Sequence, residues 1–200
     1  IIRSFKPQKI FEIGSGFSTR VMRLAVNHKS STSDTNSKVP LPDVFVSPRI
    51  ICIDPQPRVD ILEHADEHFA FYVENLSSDV ILNKIKSGDI LFIDSSHLVA
   101  TGGDVNYLFL EILPQLPVGV LIHIHDIFFP FDYPEEWVMT ERWGWNEQYL
   151  VHAFLMFNDT FEITWPSHYM WTKNNQKLNK YFQPPVSNYK PSSLWIKKIK

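Results

Sequence analysis

"FEIGSGFSTR", residues 11–20, decides how this chain folds. An apolar run ends at Ile13, glycines follow at 14 and 16, and apolar residues then recur at helical spacing through "STRVMRLAV" (18–26). A strand that turns into a helix within a few residues needs backbone freedom, and glycine provides it. The same turn lets a ligand come close to the main chain, while Ser18 or Thr19 caps the first helical turn. Gly14, Gly16 and Ser18 are therefore candidates for ligand contact, with a plain strand-to-helix turn as the alternative. Thr19 stands where a third glycine would complete G-x-G-x-x-G, so the dinucleotide fingerprint is broken.

Outward from this turn, "KIFEIG", "RIICID", "FAFYVE", "DILFID" and "VGVLIHIHD" are near-continuous apolar runs, as strands covered on both faces tend to be. Between them "PRVDILEHA", "SSDVILNKIK" and "DVNYLFLEILPQL" carry apolar residues at helical spacing. Alternating strand and helix predict an α/β fold: a parallel sheet with helices on both faces. Two hundred residues fit one domain, 1–200. Two stretches interrupt it: an inserted surface loop over 27–48, rich in Ser, Thr, Asn and Pro, and a Pro-rich connection over 182–192 before the closing strand "SLWIKKI".

Bulk properties exclude several classes. A formal net charge of -3 offers no electrostatic case for nucleic acid or an anionic membrane. No apolar run reaches the roughly 18 residues of a membrane span, and "IIRSFKPQKI" lacks the core of a signal peptide. The single cysteine, Cys52, rules out an internal disulfide and reads as a buried strand thiol; a reducing, cytoplasmic setting fits.

In parallel sheets ligands bind beyond the carboxyl ends of the strands, and here polar residues gather at those ends: Glu12, Asp54, Asp94 and Asp126. Asp54 stands where a carboxylate accepts hydrogen bonds from a ribose diol; the insertion explains its 40-residue distance from Gly14. In "LFIDSSH", Asp94 is followed by His97, with turn and surface duty as the alternative. Strand alternation puts His123 and His125 on one face and Ile122 and Ile124 on the other. His123 lies deeper and reads as a core histidine, whereas His125 and Asp126 reach the lip. His-x-His is also a natural zinc pair, but the longer His-x-His-x-Asp-His pattern of metallohydrolases fails here. The same residues are compatible with a nucleotide- or NAD-binding domain, or with a non-catalytic one.

Taken together, "FEIGSGFSTR", "ICIDPQPR", "LFIDSSH", "GGDVNYLFLEILPQLPVGVLIHIHDIFFPFDYP" and "WNEQYLVHAFL" resemble the class I S-adenosylmethionine-dependent methyltransferases. The likeness is closest to the catechol O-methyltransferase-like and cephalosporin-hydroxylase-like branch of small bacterial enzymes. The resemblance implies a Rossmann-like, mostly parallel seven-stranded sheet with one antiparallel strand, and S-adenosylmethionine over the glycine loop. It implies that Glu12, Gly14, Gly16 and Ser18 cradle the methionine part, that Asp54 holds the ribose, and that Glu74 and Asn75 approach the adenine. Asp94 would stand beside the methyl donor. In metal-dependent relatives Asp94 is joined by two residues at the end of the next strand, here His125 and Asp126, a set suited to magnesium or manganese. One residue later the pair becomes Asp126 and Ile127, and isoleucine cannot ligate. Without a metal, His125 or His97 is the preferred base for an oxygen acceptor. The implied function is O-methylation of a small-molecule hydroxyl, on a sugar, phenol or natural product, by a chain that is compatible with homo-oligomerisation. The aromatic stretch over 128–146 would lid the acceptor pocket, with Trp137, Arg142 and Trp145 as candidate contacts, and "NEQYLVHAFLMF" reads as an amphipathic helix.

Overall fold

β-Branched and aromatic residues in short runs give this chain its sheet. The computed structural model describes residues 1–27, 47–180 and 190–200. The expectations for an inserted loop over 27–48 and a Pro-rich connection over 182–192 fall largely outside those residues. The first half holds α1 (Ile2–Phe5), β1 (Lys9–Ile13), α2 (Phe17–Asn27), β2 (Arg49–Ile53), β3 (Glu67–Phe69), α3 (Asp79–Leu82) and β4 (Ile90–Ile93). After it come α4 (Asp104–Tyr107), β5 (Leu121–His125), α5 (Glu147–Leu155), β6 (Phe161–Pro166), α6 (Ser167–Leu178) and β7 (Ser193–Lys198). The strands form one sheet in the order β3-β2-β1-β4-β5-β7-β6. Only β7 runs against its neighbours, pairing antiparallel with β5 and β6. The Rossmann-like α/β fold, with its seven strands and one antiparallel member, is the predicted one.

Strand alternation sorts the core into two layers. Phe11, Ile13, Leu91, Ile93, Ile122 and Ile124 face the layer that holds Val105, Leu108 and Phe109. Ile10, Ile50, Cys52, Ile90 and Leu121 face Met22 and Val26 of α2. Each fully buried side chain of this size contributes roughly 1.5–3 kcal/mol. At the amino ends of the strands the buried carboxylate of Asp89 accepts the N–H groups of Gln8 and Lys9 at 3.2 and 2.8 Å and of Lys86 at 2.9 Å, which fixes the start of β1 against β4.

The structure departs from the predicted elements in several places. The third strand is Glu67–Phe69 rather than "FAFYVE", because this edge strand pairs with β2 over only three residues. Its apolar run continues into a loop where Phe71 and Tyr72 are exposed, and Val73–Asn75 form a 3-10 turn. "PRVDILEHA" forms turns, not a helix. The Asp60 carboxylate accepts the N–H of Leu62 at 3.0 Å, a local bond that competes with helix, and buried Ile61, with Val59 and Ala65 packed against the same cluster, anchors the loop in the core. "DVNYLFLEILPQL" is helical throughout, but α4 passes into a wider π turn at Leu108–Ile112 and a 3-10 turn at Leu113–Gln115, where Pro114 sits. β6 and α6 carry no period strong enough to announce them. Among the described residues no helix is long and apolar enough to cross a membrane.

Candidate functional site

In this strand order β1 lies between β2 and β4, so consecutive connections leave it toward opposite sides and open a crevice at its carboxyl end. Gly14 occupies that point with φ +77°. Its N–H donates to the Ile53 carbonyl at 3.1 Å, and the Asp94 N–H on the other neighbouring strand's end donates to the Ile13 carbonyl at 2.9 Å. A Cβ at Gly14 would lie 1.8 Å from the Asp94 carbonyl oxygen, so only glycine fits. A Cβ at Gly16 would meet nothing closer than Arg58 Cβ at 3.6 Å. The fold therefore demands the first glycine and tolerates a Cβ at the second, in ordinary contact with Arg58.

The carboxylates around the loop hold it in shape. Glu12 is fully buried; it accepts the hydroxyls of Ser18 and Thr19, both at 2.6 Å, and the Cys52 thiol at 3.2 Å. The Thr19 hydroxyl oxygen in turn accepts the Gly16 N–H at 3.0 Å. Burial pushes the Glu12 carboxyl up to about 6, against the pull of those three bonds. Burial and the neighbouring Glu12 push the Cys52 thiol far up, which keeps it protonated. Glu12 and Ser18 thus support the loop from behind. Asp54 Oδ2 accepts the Ser15 N–H and hydroxyl at 2.7 and 3.0 Å, and Oδ1 accepts the Gln56 N–H at 2.7 Å. Asp54 remains only half-buried, and each oxygen keeps capacity for a further donor. Two buried oxygens near these strand ends, Ser95 Oγ and Glu74 Oε2, have no hydrogen-bond partner among the described residues.

The ends of β4 and β5 bring a line of ionisable groups together. His97 Nδ1 lies 2.7 Å from Glu147 Oε2, and its Nε2 faces Asp94 Oδ1 at 3.4 Å and Asp126 Oδ2 at 3.9 Å. Burial opposes charge on His97, but the carboxylates of Asp94 and Glu147 overcome it and push the imidazole up to about 10. Burial likewise opposes charge on Asp94, yet His97, His125 and Arg58 hold its carboxyl below the usual range. On the far side of Asp126, His125 Nε2 lies 3.7 Å from Oδ1, which also accepts the Ser192 hydroxyl at 2.6 Å. His97 and Asp126 both take left-handed backbone, φ +61° and +51°, which costs a non-glycine residue roughly 1–2 kcal/mol. Behind His125, His123 is buried against Phe92 at 3.9 Å; burial, with the charge of His125, holds it well below its usual value and therefore neutral. Its Nε2 reaches His125 Nδ1 at 3.3 Å, while its own Nδ1 has no partner among the described residues.

Two expectations bear on this geometry. The carboxylates of Asp94 and Glu147 around His97 favour its protonated form, in which the ring has no free lone pair. Of the three residues expected to hold a metal, Asp94 Oδ1 and Asp126 Oδ2 both face the His97 ring, and His125 Nε2 lies 3.7 Å from Asp126 Oδ1. Among the described residues no group of three or more His, Cys, Asp or Glu side chains is arranged to hold a metal ion.

His125 and Asp126 open onto a cleft of about 1230 Å³. The 128–146 segment lines one side of it with Phe128, Phe131, Trp137, Trp143 and Trp145. Arg58, Lys190 and Ser192 face it from other loops, and His168 and Thr172 from α6. Arg142 is exposed and does not line the cleft. Glu147, Arg58 and Trp143 are the residues that sequence reasoning missed. Glu147 begins a helix and reads as a first-turn acid; Arg58 sits in a stretch with a false helical period. Only the aromatic density of residues 128–146 pointed toward Trp143.

The family model described as a methyltransferase domain matches residues 11–127, from β1 through Ile127. None of the curated proteins compared with the chain matches it.

Proposed function

The chain belongs to the methyltransferase domain family, and from that premise we propose that it transfers the methyl group of S-adenosylmethionine to a hydroxyl of a small molecule, with His125 as the base. One observation carries this reading: the glycine turn, pinned against Asp94 at the switch between β1 and β4, adjoins the lip where His125 and Asp126 face an aromatic cleft. The residues suit the donor. The side-chain-free backbone at Gly14 and Gly16 lets the methionine part come close, the spare lone pairs of Asp54 suit a ribose diol, and the unpartnered oxygens of Glu74 and Ser95 suit the polar edge of an adenine.

Bound S-adenosylmethionine supplies an electrophilic methyl on a positively charged sulfur. The protein's share is then positioning and proton transfer. Asp94 and Asp126 put negative charge beside the donor, and His97 offsets it as a fixed internal cation. His125 is 40% exposed at the cleft, and an imidazole is suited to taking the acceptor's proton near neutral pH. His123 and Asp126 hold that ring in place. The donor set gives no step to a divalent metal. The catechol O-methyltransferase-like branch stays our assignment within the family, on the order of Asp94 and the His125–Asp126 pair.

Isothermal titration with S-adenosylmethionine and S-adenosylhomocysteine tests the reading directly. Both are expected to bind, and Asp54→Ala to weaken both without loss of fold. Absence of binding by either compound refutes it.

A further inference from the structure

The lining of the cleft combines two chemistries, aromatic and polar. The aromatic side is a run of touching rings: Phe128 to Trp137 at 5.3 Å, Trp137 to Trp143 at 4.8 Å and Trp143 to Trp145 at 4.6 Å between centroids. Trp143 is 40% exposed, so part of its indole is open. The remaining lining is dense in groups that bond to hydroxyls: Arg58 and Lys190 as donors, and Asp126, Asp132 and Glu136 as acceptors.

Three acceptor classes can be weighed against this lining. A simple phenol has a ring for the aromatic side but one or two hydroxyls for the polar one. It would leave Arg58, Asp132 and Glu136, all exposed, to water and draw no recognition from them. An anionic acceptor calls for an excess of positive charge, whereas two cations here face three carboxylates. A sugar ring meets both sides. Its C–H face is apolar and packs on an indole, while its hydroxyls donate to carboxylates and accept from Arg and Lys. The volume, about 1230 Å³, also exceeds the roughly 300–1,000 Å³ of a typical small-molecule site, which leaves room beyond a single ring.

We infer that the acceptor is a neutral sugar carried on a glycoside or short oligosaccharide, stacked on Trp143 and hydrogen-bonded through Asp132, Glu136 and Arg58. This rests on the methyl-transfer reading above and names the acceptor class for that same site. The sugar hydroxyl nearest His125 gives its proton to the ring nitrogen as its oxygen bonds to the methyl carbon. The methyl's bond to sulfur breaks at the same time, and its electron pair leaves the sulfur as a neutral thioether.

Ligand-observed NMR titration of the intact chain tests the inference. The probes are methyl β-D-glucopyranoside, methyl β-D-galactopyranoside and cellobiose, with catechol as the phenolic arm and benzoate as the anionic arm. Each is run with and without S-adenosylhomocysteine, so that failure of the nucleoside to bind strikes the methyl-transfer reading and leaves the sugar result to stand by itself. At least one glycoside is expected to bind saturably and more tightly than catechol or benzoate. Trp143→Ala, at a part-exposed position, is expected to weaken it roughly tenfold or more, as loss of a tryptophan anchor does, with S-adenosylhomocysteine affinity unchanged. The inference is overturned if no glycoside binds, if catechol or benzoate binds more tightly, or if Trp143→Ala leaves the glycoside affinity as it was.

Discussion

Gly14 and Gly16 stand two residues apart, and the structure assigns them opposite sensitivities to one added methyl group. At Gly14 an alanine must hold φ near +77°, which costs roughly 1–2 kcal/mol for an L-residue. Its Cβ would also lie 1.8 Å from the Asp94 carbonyl oxygen. That atom is backbone, tied into the β1–β4 pairing by the Asp94 N–H bond to Ile13 at 2.9 Å, so no rotamer relieves the overlap. Overpacking of this kind adds roughly 1–3 kcal/mol. A total near 3 kcal/mol predicts that Gly14→Ala lowers Tm by roughly 6–12 °C in a chain of this size. At Gly16 the nearest atom is 3.6 Å from the added Cβ, an ordinary contact, so Gly16→Ala should stay within about 1 kcal/mol of the parent. Yet that Cβ fills the space over the turn, and S-adenosylmethionine affinity should fall roughly tenfold, a loss of about 1.4 kcal/mol. Thermal unfolding and calorimetric titration of both variants give the comparison. A Gly14→Ala protein that melts with the parent would refute the turn geometry, and a Gly16→Ala protein that binds the donor normally would refute the placement of the ligand.

Three further outcomes follow from the ionisable groups. Glu12 titrates at about 6 in the fold against 4.5 ordinarily, so the stability tied to its protonated form is complete below pH 4.5 and lost as pH rises through 6. The difference in urea stability between wild type and Glu12→Gln should therefore decline by about 2 kcal/mol across that window; a flat difference would show that burial does not shift this group. His97, raised to about 10, contributes stability that is complete below pH 6.5 and lost as pH rises through 10, so its ring nitrogens should give imidazolium NMR signals at pH 8. Titration of that ring near 6.5 would remove the internal cation from the mechanism. His125→Gln should reduce methyl transfer by roughly 10²–10⁴ while leaving donor affinity unchanged, and retained turnover would move the base elsewhere.

The parts of the fold that are legible in the sequence are those where one physical cause dominates. Strands buried on both faces show as unbroken apolar runs, and the switch-point turn shows as glycine because no other residue fits against Asp94. β3 is hard to place because its apolar residues continue beyond a three-residue pairing, and residues 57–65 carry a helical period that Asp60 and the local turns override. For the site, the gathering of Glu12, Asp54, Asp94 and Asp126 at strand ends is visible, since alternation and strand polarity alone bring them there. Their division of labour is not. That Glu12 faces inward to Ser18 and Thr19, or that His97 finds Glu147 fifty residues away, depends on packing between distant segments.

The His97–Glu147 pair also explains how the two halves of the site stay in register. Glu147 is 1% exposed, and its Oε1 has no partner among the described residues. Replacing a buried ion pair of this sort with apolar residues is often neutral or stabilising by about 1–4 kcal/mol, so fold stability gives no reason for it. Its contacts do. The N–H groups of Asn146 and Glu147 donate to the His97 carbonyl at 3.0 and 3.2 Å, the Val99 N–H donates to Asn146 Oδ1 at 2.6 Å, and Trp145 packs on the His97 ring at 4.2 Å. The aromatic side of the cleft is thereby bonded to the loop that carries Asp94. An acceptor resting on the tryptophans and a donor beside Asp94 are then held by one connected body. A displacement between donor methyl and acceptor oxygen depends on that fixed geometry more than on any single functional group, and a costly buried pair at the joint is what maintains it.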